Sequence, residues 1–506
     1  MSGDGITEIA KQGGITFFGT FLGRILGFGF IAVVTRLIVP DVYGSFTLAL
    51  SIVMFCQGLA DLNLHRALDY FIPQYLQDGE TEYASGTLVF IFFTTLLTTS
   101  FAAVLVVVAA PSLSAVFGDP ALATILPTLA LVIPLSAVSS LLQSSFTAMK
   151  TLKYRVYIKD LAFPLVKLVG LIVFVFLGLH MFALVFSQLL GLAVAVGVGG
   201  IFLLQRADWL EPNLSQSASP RRIISYSLPL LFAGVVYSIV GRIDYFVIGY
   251  FRKSSDVAYY QVAYTLAINV LIVLNSLTPI FKPTVVEAQE ETELLAKRYK
   301  LVTRWITLFT LPIVATIVVA PDTYLTVFFT ERYSVASTAL VALSIGYLFN
   351  SSFGPEGMML EGLGYTRLTF LNTLVLVGVN AALDILLVPR FGIVGAGIAT
   401  GTALTLAGVA GIVEVYYFRG IHPYSVAWLK LWLGIIPAAI AGILVPISDA
   451  PLVLVAVALP IVIGISYLCV LLLIRAFTEK DRQIAGQVDA KLGYPLVERI
   501  IARGVR

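Results

Sequence analysis

Apolar residues run continuously along this chain and do not alternate with polar ones. The runs fall at roughly 13–39, 43–63, 84–110, 121–147, 158–178, 181–205, 223–250, 257–281, 301–320, 335–354, 367–388, 392–417, 426–446 and 451–475. Each approaches or exceeds the roughly 20 residues with which a helix crosses the hydrocarbon core. Strands of a transmembrane barrel alternate in character, so unbroken runs point to helices, which satisfy their backbone groups internally. The pattern predicts an all-α integral membrane protein with about fourteen transmembrane helices.

Composition agrees and removes several classes of function. Of 506 residues, 58% are hydrophobic and 12% charged, against about 25% charged in soluble domains. Mean hydropathy is +0.95. The first apolar run is too long for a signal peptide and lacks a small-residue cleavage site, so it is expected to be retained. Cys56 and Cys469 lie in apolar runs and imply neither a disulfide framework nor a thiolate metal site. His65, His180 and His422 are scattered near run boundaries, so no metal or other cofactor is expected. A net charge of +3 does not suggest nucleic acid. No GxxxxGK[ST] loop is present, so energy falls to a proton or sodium gradient, the membrane potential, or consumption of the product.

Charge sets an expected orientation. With the N-terminus cytoplasmic, the inner loops carry Lys150, Lys153, Arg155 and Lys159, then Arg206, Arg221 and Arg222, then Lys282, Lys297, Arg298, Lys300 and Arg304. The C-terminal tail adds seven basic residues, from Arg475 to Arg506. The outer loops keep Arg252, Lys253, Arg332 and Arg390. The positive-inside rule then places both termini in the cytoplasm. No outer loop exceeds about 15 residues, which leaves little room for the external domain of a glycosyltransferase or ligase.

A repeat is visible. Pro40-Asp41-Val42-Tyr43-Gly44 and Ser255-Asp256-Val257-Ala258-Tyr259 each precede an apolar run, and Lys153-Tyr154-Arg155 has a counterpart in Gly364-Tyr365-Thr366-Arg367. Two matches in order make helices 1–6 a copy of helices 7–12, related by an axis along the membrane normal. Transporters built this way place substrate at the repeat interface. The expected divisions are an N-lobe at 1–210, a C-lobe at 211–422, helices 13 and 14 at 423–476, and a cytoplasmic amphipathic tail at 477–506. The tail rests on Ile484, Val488 and Leu492 recurring every fourth residue. Thr284 and Glu287 beside Pro283 resemble a capping box. Acidic and then basic clusters follow, which predicts either an interfacial helix in the charged 282–304 loop or a solvated extension of the flanking helices.

Charges inside spans carry the sharpest chemical signal. Arg24 lies about twelve residues into helix 1, roughly 18 Å deep at 1.5 Å per residue. Arg242 and Asp244 lie within helix 7, and Lys167 about nine residues into helix 5. An intramembrane Arg costs about 2.5–3.5 kcal/mol on insertion scales, so such residues face a cavity or a partner. One reading is a cationic cavity formed by Arg24, Arg242, Lys167 and Arg36, binding a phosphate or pyrophosphate through the guanidinium fork. The other is internal pairing, for instance Arg24 with Asp61, with Arg36 and Lys167 reaching toward the interfaces. Asp61 and Arg66 bracket the inner end of helix 2 as a gate or a helix-end pair. Asp244, Asp384 and Glu414 are further gating or ion-pair candidates, the last two expected to be exposed near helix ends. Gly19, Gly23 and Gly27, and Gly392, Gly395, Gly397 and Gly401, have the spacing of close helix packing. Pro127, Pro134, Pro229 and Pro437 are expected to kink their helices.

One stretch is more specific. Ala32-Val33-Val34-Thr35-Arg36-Leu37-Ile38-Val39-Pro40-Asp41-Val42-Tyr43-Gly44-Ser45-Phe46 leads to Ala60-Asp61-Leu62-Asn63-Leu64-His65-Arg66-Ala67-Leu68. It resembles the N-terminal signature of Wzx-type polysaccharide flippases, with Asn63 where that family usually has Gly. Tyr299-Lys300-Leu301-Val302-Thr303-Arg304-Trp305, running to Leu311-Pro312, is also similar. The resemblance implies the MOP fold shared with MATE antiporters and MurJ-type flippases: two six-helix lobes around a cavity, with helices 13 and 14 added. It further implies that the protein is a monomer and not an enzyme. It would work in the plasma membrane beside glycan-assembly enzymes and membrane lipids. Its substrate would be a polyprenyl- or dolichyl-linked oligosaccharide, carried from the cytoplasmic to the outer leaflet by alternating access. Arg24 resembles the family's cavity arginines by location. The alternatives are a MATE-like ion-coupled exporter of small molecules and a membrane glycosyltransferase or ligase. Helix 1 has two arginines and no carboxylate, which favours an anionic cargo over a cationic one.

Overall fold

The computed structural model describes residues 3–210, 219–445, 450–492 and 497–505. Regular structure in these residues is helical, apart from one isolated bridge between Phe477 and Val505. Two compact units form, Met1–Ala258 and Tyr259–Arg506.

The first unit contains α1 (Gly3–Leu37), α2 (Pro40–Ala60), α3 (Leu64–Gln77), α4 (Thr81–Phe117), α5 (Pro120–Leu129) and α6 (Val132–Ala148). It continues with α7 (Leu152–Val156), a π-helical turn at Tyr157–Ala162, α8 (Phe163–Phe176) and α9 (Met181–Arg206). Then come α10 (Pro220–Val240), α11 (Ile243–Phe251) and the start of α12 (Ser254–Ala267). The unit boundary falls inside α12 because α10 and α11 pack on α2, α3 and α4. The second unit continues with α13 (Ile272–Glu287), α14 (Thr292–Val319), α15 (Pro321–Phe328), α16 (Ser337–Ser352), α17 (Glu356–Gly362) and α18 (Thr366–Phe391). It ends with α19 (Ile393–Arg419), α20 (Val426–Ile443), α21 (Leu452–Leu473), α22 (Glu479–Leu492) and α23 (Val497–Ala502).

Among the described residues eleven helices are long and apolar enough to span, or twelve if α5 and α6, bent by 41°, make one span. The expected count of fourteen is not reached, because the runs at 158–178 and 223–250 are interrupted. The first is shared between the π-helical turn and the 14-residue α8, and the second breaks at Gly241-Arg242. The bend between α5 and α6 lies just after Pro127, whose missing N–H frees a carbonyl in the turn before it.

Helix packing uses the expected small residues. In lipid, association depends on close contact because apolar burial gives no advantage over lipid tails. Gly19 and Gly23 of α1 seat Val156 and Asp160, whereas Gly27 faces open space. Gly401 of α19 meets Gly346 of α16, and Gly395 meets the backbone at Leu387. The first unit's core joins Leu68 and Phe71 of α3, Ile91 of α4, and Leu141 and Phe146 of α6.

In the 282–304 region the helix-extension alternative is the one that forms. No separate interfacial helix forms there. Thr284 lies inside α13 and donates to the Phe281 carbonyl at 2.7 Å. The acidic and basic clusters instead occupy the facing ends of α13 and α14, joined by a short turn and by Arg298, which donates to the Thr284 carbonyl. The tail is helical, as α22 and α23; the side chains of Val488 and Leu492 lie outside the described residues. Asp481, at the start of α22, pairs with Arg304 and accepts from the Trp305 indole at 2.9 Å and the Thr478 amide at 2.7 Å. Burial raises its carboxyl, but the hydrogen bonds and charge of Arg304, with Trp305 and Thr478, outweigh this and hold its pKa low.

Candidate functional site

The first unit has two contrasting ends. At the α3–α6–α7 end lies a cavity of about 540 Å³. Arg66 and Asp69 of α3, Arg155 of α7, and Lys159 of the π-helical turn line it. So do Ser140, Gln143, Ser144 and Thr147 of α6, and Tyr226 of α10. None of Arg66, Arg155 and Lys159 forms an ion pair among the described residues. Asp69, the one carboxylate in the lining, lies within electrostatic reach of Arg66 and Arg155. Three cations against one carboxylate leave a formal surplus of positive charge around open volume. In a cleft with low-dielectric walls, such a surplus concentrates anions.

Local sequence explains this wall. Leu62 and Asn63 both adopt left-handed backbone, at φ 50° and 53°, which ends α2 and starts α3 in a new direction. Among residues with a side chain, Asn is one of the few that accept this conformation readily. A Gly at position 63 in the resembling family fits the same requirement. Here Asn63 adds a bond, its Nδ2 donating to the Leu230 carbonyl of α10. Asp61 accepts from Gln57 Nε2 and from the Asn63 amide, both at 2.9 Å. The Arg24–Asp61 pair, the example of the internal-pairing alternative, does not form among the described residues. Next to it, His65 Nδ1 is buried without a hydrogen-bond partner, 3.8 Å from Asp61 Oδ2. On α6, positions 136, 140, 143, 144 and 147 share one face, as helical periodicity requires.

At the opposite end, Asp119 caps α5 and gathers hydroxyls. Ser45 Oγ of α2 and Ser254 Oγ at the start of α12 each donate to Asp119 Oδ2 at 2.6 Å. The Ala121 amide donates to Oδ1 at 3.0 Å. Gly44 lies directly against the Ser254 backbone, where a Cβ would have no room. Asp119 is 8% exposed, so this end holds a buried, satisfied cluster.

The candidates singled out in the sequence scatter. Only Arg66 lines the polar cavity. Arg24 is exposed on α1, and Arg36, in the last turn of α1, donates to the Ala32 carbonyl at 2.8 Å. The Lys167 ammonium sits 4.0 Å from the centre of the Phe30 ring and 5.7 Å from that of Phe163. Arg242 is the N-cap residue of α11 at the break in that span, and Asp244, two residues on, is buried. Asp384 is fully buried, not exposed as expected: it lies about two turns inside α18, where Asn380 Nδ2 donates to it at 3.3 Å. Glu414 accepts from Asn372 Nδ2 at 2.7 Å. Arg155 and Lys159, read in the sequence as orientation signals and, for Arg155, as part of the repeat, are cavity residues.

The polysaccharide biosynthesis protein family matches residues 33–338. Two relatives come from Haloferax volcanii. The probable low-salt glycan biosynthesis flippase Agl15 is 25% identical over 272 residues, 53% of this chain and 56% of that one. The probable flippase AglR is 24% identical over 244 residues, 47% of this chain and 50% of that one. The chain thus spans about half the length of the curated relatives it matches. The fold is similar to that of lipid II flippase MurJ in an inward closed conformation. That likeness has a TM-score of 0.73 at 14% identity, covering 89% of this chain and 97% of that one. A MATE multidrug transporter of the MOP superfamily, inward-facing, gives a TM-score of 0.65 at 14% identity, covering 79% and 94%. The architecture is therefore the MOP fold, and the chain belongs to the polysaccharide biosynthesis protein family.

Proposed function

We propose that this protein is a flippase. Its cargo is an oligosaccharide linked through phosphate or pyrophosphate to a polyprenol or dolichol, and it moves that cargo between leaflets by alternating access. The observation that carries this reading is the cavity bearing Arg66, Arg155 and Lys159, none of which forms an ion pair among the described residues. An unpaired cation beside a membrane cavity is costly unless an anion completes it. Arginine suits a phosphate because its fork donates two parallel hydrogen bonds. The relative named as a glycan biosynthesis flippase supports the same cargo class, and the second is named as a probable flippase.

In this reading the cavity end faces the cytoplasm, where the lipid-linked sugar is assembled, and the Asp119 end is the closed outer gate. Both termini are cytoplasmic, in the plasma membrane. The lobes expected at 1–210 and 211–422 rock about the site, and the pair at 423–476 flanks them. Arg24 and Arg242 are further cavity residues that engage the headgroup in other states of the cycle. Coupling to protons or sodium supplies the direction of transport. The protein acts as a monomer and performs no covalent chemistry.

The test is reconstitution. Proteoliposomes containing the purified protein are expected to move a lipid-linked oligosaccharide to the far leaflet, where a lectin or an endoglycosidase detects it. Saturable transport of cationic dyes with no movement of sugar lipid would replace this reading with a MATE-like exporter.

A further inference from the structure

The cavity lining divides chemically. Its cations, Arg66, Arg155 and Lys159, come from α3, α7 and the π-helical turn. Four of its neutral polar groups, Ser140, Gln143, Ser144 and Thr147, come from one face of α6, joined by His65 of α3 and Tyr226 of α10. Most hydroxyls on an apolar helix satisfy themselves on the carbonyl four residues back. Ser140 does so on Ser136 at 3.0 Å, and Thr147 on Gln143 at 3.0 Å. Gln143 cannot do so. Its Nε2 donates to Ser139 Oγ at 3.3 Å, and its Oε1 has no donor among the described residues. Ser144 Oγ reaches across to Asp69 Oδ2 at 3.5 Å, at the long limit of a hydrogen bond. Asp69 also stands out, as the single acceptor-only group in a cationic lining.

A phosphate needs only the cations. Amide, hydroxyl and carboxylate groups in fixed positions match something else: a neutral group carrying several hydroxyls that both donate and accept. Resting on the reading above, we infer that Gln143, Ser144 and Asp69 form a sugar-reading wall. It hydrogen-bonds the sugar attached to the phosphate, while Arg66, Arg155 and Lys159 hold the phosphate itself. The ligand class of the cavity is a glycosyl phosphate, and the α6 wall decides which sugar is accepted. Asp69 accepts from sugar hydroxyls, Gln143 offers both a donor and an acceptor, and Ser144 turns from Asp69 toward the ligand.

The test uses the full chain in nanodiscs, with inorganic phosphate and the 1-phosphates of glucose, galactose, mannose and N-acetylglucosamine as probes. Affinities come from calorimetry or ligand-observed NMR. At least one sugar phosphate is expected to bind about tenfold or more tighter than phosphate, the scale of one or two hydrogen bonds. Gln143→Ala, and Gln143→Ala with Ser144→Ala, are expected to bring that preference within about twofold. Their retained phosphate binding shows that the cavity is still folded. Arg155→Ala is expected to weaken all probes together. Phosphate binding with no preference for any sugar, or a preference that survives both α6 variants, overturns the sugar wall and leaves the cationic reading standing. Failure of the wild type to bind any probe removes both.

Discussion

The two ends of the first unit use similar residues for opposite purposes. At one end, Asp119 collects two serine hydroxyls and a backbone amide in a buried cluster with short bonds. At the other, Asp69 has one long bond to Ser144 and stands among three cations around open volume. A carboxylate whose partners are complete closes a structure. One whose neighbours lack partners leaves room for a ligand. The contrast fits the proposed transporter, with a satisfied cluster at one end and a receptive cavity at the other, and it is made within one unit.

The largest effect belongs to the open end. Combining Arg66→Ala with Arg155→Ala is expected to lower sugar-lipid translocation 100-fold or more, about 2.8 kcal/mol at 1.4 kcal/mol per tenfold. Melting temperature should hardly change, since neither residue forms an ion pair among the described residues. Transport close to wild type would erase the distinction between the ends. Lysine at both positions separates charge from fork geometry, because Lys keeps only the charge.

The closed end comes next. Asp119→Ala removes the acceptor of the Ser254 hydroxyl and leaves Ser45 only the Asp41 carbonyl, at about 1–3 kcal/mol for a buried group left unsatisfied. A cysteine at position 47, where Thr47 is 7% exposed, reports the opening. In a background lacking Cys56 and Cys469, its labelling should rise roughly 5- to 100-fold. Asp119→Asn keeps two acceptor lone pairs and should give a smaller rise. Unchanged labelling in the Ala variant means that this cluster is no gate. Gly44→Ala acts on the same end by sterics, pushing α2 from the Ser254 backbone at about 1–3 kcal/mol. Its labelling should also rise.

A second closed cluster provides a control. Arg304 and Asp481 are both buried, and the lowered Asp481 pKa makes the ionised form the stable one. A depressed carboxyl contributes stability above its unfolded pKa and loses it as pH falls through its folded value. Protection of the α22 amides in hydrogen exchange should therefore be flat near neutral pH and fall on acidification through and below the usual carboxylate range. Asp481→Asn should remove that pH dependence. Persistence of the transition in the variant would assign it to another group. The smallest effect is expected at the junction between the ends. Asn63→Gly loses the bond to Leu230 but relieves left-handed backbone, so stability should move by less than about 1 kcal/mol.

Much of this was legible in the sequence, but not the division of labour. Long apolar runs fixed most of the helices, and the two interrupted spans were hidden because hydropathy is blind to backbone breaks such as Gly241-Arg242. The α2–α3 break had a signal: Asp61 and Asn63 in an apolar stretch are groups that compete for backbone bonds. The cations of the site carried a signal too, but Arg155 and Lys159 had already been absorbed by the orientation rule. The α6 face was present as polar positions at helical spacing. Serine and threonine that bond their own helix change hydropathy little, and only Gln143 stood apart. The Asp119 cluster could not be read, because its partners lie 74 and 135 residues away in the chain. Asp384 was misplaced because an ionisable residue near a span end usually reaches the interface, whereas Asn380 pairs with it in the interior.

The most direct test of the central claim is to ask which end receives the headgroup. A photoreactive amino acid is placed at position 147, in the open cavity, or at position 47, beside the closed cluster. Cells making their native lipid-linked sugars are illuminated, and the adducts are weighed by mass spectrometry. The account predicts a phosphate-bearing glycolipid adduct at 147, lost when Arg66 and Arg155 are both alanine, and little or none at 47. Equal adducts at both positions, or an adduct at 147 that survives loss of the arginines, would contradict it.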